Sequence, residues 1–370
     1  MHRGRAMERR ACHWRQRHRA HRDHEPAMKH HPSRRRKQRG FTLIELMVAL
    51  LLGLLVVAAA GSIFLSNRRV YGSTESLNRI QENQRAAFEL LARDIREAGG
   101  NPCLRFGASK SPVVQLASFD SGWWGHFAAG IHGDGSGASD SITLYLANGA
   151  TYPVVEHKKP GDPIRLGSVA GLVDGQVLMA CNSDEAIVFS VSGISGNTLQ
   201  HVAGANCGSG FTLKPESGKC GDSVAGPPYC FWGNPAVLPT AAESSNCQSG
   251  VGRSPAFVVR PFDVQWTVEA NTRGGSSLYR NALGSKDEIA EGITDMTIGY
   301  KVGDASDYKS AGEVEAANAW ARVTAVHVVL AFEAARGAMA KGDVQGVDGS
   351  ALTRTLEDFI VLRNHQEGIQ

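Results

Sequence analysis

Glu45 is the one ionisable side chain in the 25-residue run Phe41–Leu65, FTLIELMVALLLGLLVVAAAGSIFL. A carboxylate at that depth in an apolar helix is costly and marks a functional position that needs a partner. Its alternative is to snorkel to the nearby interface. Six cysteines lie beyond the run, at Cys103, Cys181, Cys207, Cys220, Cys230 and Cys247, and Cys12 precedes it. An even number on one side of a membrane suits disulfide chemistry in an oxidising compartment, with buried free thiols as the alternative. None forms a CxxC pair, so the spacing gives no zinc site. The histidines after the run, at 126, 132, 157, 201, 327 and 365, are scattered without an HExxH or i, i+4 pair. His327 falls inside an apolar stretch and reads as a core histidine. Asp134–Asp140 lacks the carboxylate count and closing Glu of a calcium loop and reads as a turn. With no G-x-S-x-G, G-x-G-x-x-G or P-loop, the expectation is no catalytic residue, no metal and no cofactor.

The elements that position these residues begin with the apolar run itself. As a helix it reaches about 37 Å, enough to cross a bilayer core with some tilt. A stop-transfer anchor accounts for the run but not for Glu45. Residues 1–40 carry 14 Lys+Arg against 3 Asp+Glu, which leaves 25 basic and 33 acidic of the chain's 39 and 36 for the remainder. A basic block directly before an apolar run marks the cytoplasmic side of a single-pass protein. A nucleic-acid-binding arm is the weaker reading, because such blocks are commonly just solvated. Within the leader, Met28 begins the 13-residue stretch MKHHPSRRRKQRG, and translation from Met28 is the expectation.

Helical periodicity continues past the run through Leu77, Ile80, Ala87, Leu91, Ile95 and Ala98. Gly99-Gly100, with Pro102 behind it, predicts the stop. Gly53 and Gly61 are candidates for local loosening or for close helix contacts. After residue 100 the pattern is β-rich. Ser141–Ala147, Ala186–Val191 and Phe262–Val268 alternate, and Val323–Phe332 is almost continuously apolar, as for a strand buried on both faces. Trp123-Trp124 read as core aromatics in preference to an exposed patch. Residues 203–255, with four cysteines, many glycines and Pro227-Pro228, read as a long insertion in which disulfides replace a core. The fold class is α+β: a long N-terminal spine helix and a β-rich head with a disulfide-bearing insertion. The divisions are a leader at 1–40, a membrane or filament-core part at 41–65, an amphipathic part at 66–100 and a head at 101–370.

RGFTLIELMVAL, with basic residues before it and an apolar run after it, resembles the signal of type IV prepilins and type II secretion pseudopilins. That resemblance implies a prepilin peptidase cutting after Gly40 and N-methylation of the new terminus, Phe41. It gives Glu45 the role of the motif's acid, and the 40-residue leader is longer than the family's usual form. Cleavage leaves an α-amino group that the carboxylate of a neighbouring subunit's Glu45 is placed to neutralise in the filament core. EGITDMTIGY (Glu291–Tyr300), VTAVHVVLAF (Val323–Phe332) and LEDFIVLRN (Leu356–Asn364) resemble the PilW-type minor pilins; residues 101–290 carry no such resemblance. The expected function is a minor type IV pilin that helps start or cap the pilus. A minor pseudopilin and a pilin-anchored adhesin or periplasmic enzyme head are the alternatives. The implied partners are the prepilin peptidase, other minor pilins, the major pilin and the inner-membrane assembly platform. The implied location is the inner membrane, with a periplasmic head, and then the pilus.

Overall fold

The structure is a computed structural model that describes residues 40–103, 112–183, 185–215, 220, 223–225, 230–231, 255–333 and 353–365. The leader, Cys12, Cys247 and the side chains of Leu77 and Ile80 lie outside the described residues. The chain divides into two compact units, to Ser62 and from Ile63, and each is described by itself.

In the first unit the chain enters helix α1, which spans Leu43–Glu97, 55 residues. Leu, Val, Ala and Ile dominate its first turns, and Gly53 and Gly61 do not interrupt it. The apolar side chains here are exposed, Leu54 at 74% and Val57 at 71% among them. Among the described residues, Leu43–Gly72 is the one helix long and apolar enough to cross a membrane. Such a surface is stable only against lipid or other apolar helices.

In the second unit, α1 ends as its sequence dictates. Gly99 takes a left-handed φ of 71°, a conformation costly for any side-chain-bearing residue, and its N–H turns away to the Tyr145 carbonyl at 2.9 Å. Ala87, Leu91, Ile95 and Ala98 recur on one face and are fully buried. They share a core with Ile142, Leu144, Val264, Trp266 and Leu278 of a five-stranded sheet and with Ile298, Val326 and Ile360 of a four-stranded sheet. The five-stranded sheet is built from Ile131–Asp134, Ser141–Leu146, Phe262–Ala270, Ser276–Ala282 and Ser285–Glu291. The four-stranded sheet contains Ile293–Val302, Tyr308–Lys309, Val323–Glu333 and Thr353–Val361, all antiparallel. The Asp134–Asp140 segment is the turn between the first two strands. It also stitches the sheets, since Asp140 Oδ2 accepts from Ile298 N at 2.7 Å.

An eight-stranded sheet, among them Thr151–Glu156, Val177–Cys181, Ala186–Ser190 and Phe257–Val259, adds a further layer. Ser141–Leu146 serves two cores: Ile142 and Leu144 face α1, while Tyr145 joins Met179, Val188 and Val259 of this sheet. Helix α2 (Ser121–Ala129) contributes Trp124 and Phe127 to that second core. The other face of the eight-stranded sheet forms a third core around Phe189, Phe211 and Phe231.

Several expectations change here. Val323–Glu333 is not buried on both faces: Val326, Val328 and Leu330 are buried while His327, Val329 and Ala331 are half-exposed. Alanine and valine on the outer face mask the alternation. His327 is therefore no core histidine; its ring stacks on Phe359 at 4.3 Å and reaches Glu357 at 3.3 Å. Ala186–Ser190, read as alternating, is buried on both faces because cores lie on either side of it. Trp124 is core, whereas Trp123 is half-buried with its indole N–H on Asp263 at 3.1 Å. The insertion is not coreless, since Phe211 and Phe231 are among the largest fully buried side chains.

Candidate functional site: the N-terminal motif and the head that carries it

Gly40, Phe41 and Glu45 come together at the start of α1. Gly40 lies before the helix, and a Cβ built there meets nothing within 4 Å. The glycine is therefore not demanded by this chain's own packing. Phe41 is 88% exposed, so the Gly40–Phe41 peptide bond is open to an enzyme. Thr42 is the N-cap of α1. Its hydroxyl accepts from Glu45 N at 3.3 Å, and Glu45 Oε2 accepts from Thr42 N at 3.1 Å and from Thr42 Oγ1 at 3.2 Å. This is a reciprocal capping box, satisfying two of the donors a helix start leaves orphaned. Besides its charge, Glu45 thus has a capping role, for which Thr-x-x-Glu before an apolar run is the sequence signal. The cap holds the carboxylate at the positive end of the helix dipole.

The head grips α1 through Asp94. Its Oδ2 accepts from Trp266 Nε1 at 3.0 Å and from Arg280 Nε at 2.7 Å. Asn364, at the end of the last described segment, donates to the Glu97 and Ala98 carbonyls at 3.3 and 3.0 Å. Carbonyls at a helix end lack intrahelical partners, and the Glu97 carbonyl also accepts from Gly100 N at 2.8 Å. The His365 imidazole, hydrogen-bonded to the Val323 carbonyl at 2.9 Å, fills the space over Gly99 and Gly130. The closing segment thus seals the C-terminal end of α1.

Two disulfides join four of the described cysteines, Cys103–Cys181 and Cys207–Cys220. The second lies within the four-cysteine insertion. The first ties the chain just past α1 to the eight-stranded sheet across a sequence separation of 78. A loop of that size stabilises by about 4 kcal/mol on a chain-entropy account. Cys230 is also disulfide-bonded.

The buried polar groups of the third core predict a pH response. His157 accepts from Phe231 N through Nδ1 at 3.2 Å, so its proton sits on Nε2. Burial, then the neighbouring His201, pushes its pKa down from 6.5 to about 3. The unfolded chain binds a proton below 6.5 that the folded chain refuses, so stability falls as pH drops from 6.5 towards 3. The slope from this one residue is up to about 1.4 kcal/mol per pH unit, and it vanishes above that window. Thermal midpoints across the range should fall less steeply for His157→Gln; equal slopes would remove His157 as a cause.

With this geometry in place, comparison with known proteins identifies one element. Residues 35–61 match the prokaryotic N-terminal methylation motif, the prepilin-type signal of type IV pilin-like and pseudopilin-like proteins. The match takes in Gly40, Phe41, the capping box and the apolar start of α1. No curated protein and no solved structure matches the chain.

Proposed function

We propose that this chain is a minor type IV pilin of PilW type, a low-copy structural subunit and not an enzyme. The inner membrane holds it by the apolar part of α1, with the leader cytoplasmic and the head periplasmic. Prepilin peptidase cuts after Gly40, Phe41 is methylated, and the subunit enters the pilus beside the major pilin and other minor pilins on the assembly platform. In that setting the capped Glu45 carboxylate neutralises the amine of a neighbouring chain.

The observation that carries this reading is the methylation motif leading directly into a helix whose apolar surface is exposed and whose later turns carry a head. The size of the head argues for the minor role. A shaft subunit presents the same complementary surfaces to many copies of itself. Here an eight-stranded sheet with its own core lies beyond the sheets that cover α1, a bulk that suits a tip or an initiating complex. Quantitative proteomics of sheared filaments should find few copies per filament, and deletion should abolish piliation. Abundance matching the major subunit, or normal pili without the gene, would refute the minor role. Loss of protein secretion with intact pili would point to the pseudopilin alternative.

A further inference from the structure

Two histidines close in sequence and one distant glutamate meet at one edge of the head. His126 lies in the last turn of α2 and His132 in the strand Ile131–Asp134. Between them Gly130 adopts a left-handed φ of 76° and reverses the chain. The two imidazoles stack with centroids 3.8 Å apart. Glu315 comes from a short helix, α3 (Ala311–Ala316), begun by a capping box between Ser310 and Glu313. Its Oε2 lies 3.6 Å from His132 Nε2. One ligand-type atom from each of the three lies within 4.8 Å of the others.

We propose that His126, His132 and Glu315 form a binding site for a zinc-class divalent transition metal. Two imidazole nitrogens and one carboxylate oxygen are the donors that such an ion prefers, and three protein ligands leave a fourth position open. A tetrahedral zinc ion needs its ligand atoms about 3.3 Å apart. The half-exposed imidazoles close that gap by side-chain rotation towards the carboxylate. The surroundings already hold the carboxylate in place, as hydrogen-bonding neighbours orient the ligands of metal sites. Trp320 Nε1 donates to Glu315 Oε2, and the Trp320 ring lies 5.0 Å from His132. Tyr300 in turn packs edge-on against Trp320 at 5.0 Å, in space that Gly133 leaves free. Spacing alone does not show this site, because the third ligand stands 183 residues after His132. A bound ion would pin α2, the strand and α3 together. The site does not depend on the pilin reading.

The test is Co2+ titration of the chelator-stripped full chain in detergent. The leader holds seven of the 13 histidines, so the readout is the difference between wild type and site variants. The site predicts one equivalent of Co2+ with the intense visible absorption of four-coordinate cobalt, displaced by Zn2+. His126→Ala and His132→Ala should each bleach that absorption and weaken binding about tenfold to a hundredfold. Glu315→Gln should weaken it less, and acidification below the imidazole range should release the ion. Circular dichroism and the oxidised-cysteine count confirm that each variant is folded, with His126→Gln as the milder substitute. No saturable binding, or the same visible spectrum and stoichiometry in His126→Ala/His132→Ala as in wild type, would overturn the site.

Discussion

Gly40→Glu should leave a membrane-held chain that keeps its leader, with no product beginning at Phe41. The substitution isolates recognition from folding. A Cβ at position 40 has open space around it, Gly40 precedes α1, and the capping box uses Thr42 and Glu45. Neither the helix nor the head therefore has a reason to change. Loss of processing should be nearly complete, because the added charge sits at the bond to be cut, whereas Gly40→Ala should process partially. Immunoblots of membrane fractions separate precursor from product by the mass of the leader. Wild-type processing of Gly40→Glu would remove Gly40 from the cleavage site.

Asp94→Ala should be the most damaging single change at the helix–sheet junction of the head. The Asp94 carboxylate is 13% exposed and Arg280 28%. Removing the acid leaves the Arg280 charge and the Trp266 indole N–H without their partner beside a dry core. Breaking a largely buried pair costs about 3 kcal/mol, towards the low end here because Arg280 keeps some solvent. For a head of this size that lowers the thermal midpoint by roughly 5–10 °C. Asp94→Asn keeps one acceptor and should lose less. Glu89→Ala, which breaks the exposed Arg85–Glu89 pair of the same helix, should leave the midpoint unchanged. A midpoint as high for Asp94→Ala as for Glu89→Ala would show that the network does not hold α1.

The parts legible in the sequence were those set by local periodicity. Leu91, Ile95 and Ala98 recur at helical spacing and are buried, and Gly99-Gly100 ends the helix as glycine chemistry requires. Val264 and Trp266 alternate with polar neighbours and face the core. What periodicity does not carry is which layer covers a strand. Ala186–Ser190 reads as one-sided until the second sheet is seen behind it, and Val323–Glu333 reads as two-sided because Val329 and Ala331 stand on its outer face. Long-range pairing was equally hidden. Cys103 meets Cys181, and Asn364 caps a helix that ended at Glu97; both depend on topology that one sequence does not state. At the N-terminal motif, Gly40, Phe41 and Glu45 were all legible as residues. The capping role of Glu45 needed only the Thr42 spacing.

Processing after Gly40 is tested most directly at the N-terminus of the wild-type protein. Intact-mass and N-terminal peptide analysis of the protein extracted from membranes and sheared filaments should find residue 41 first, as N-methylphenylalanine, with nothing of residues 1–40 attached. A dominant species that retains the residues before Phe41 in both fractions would contradict it.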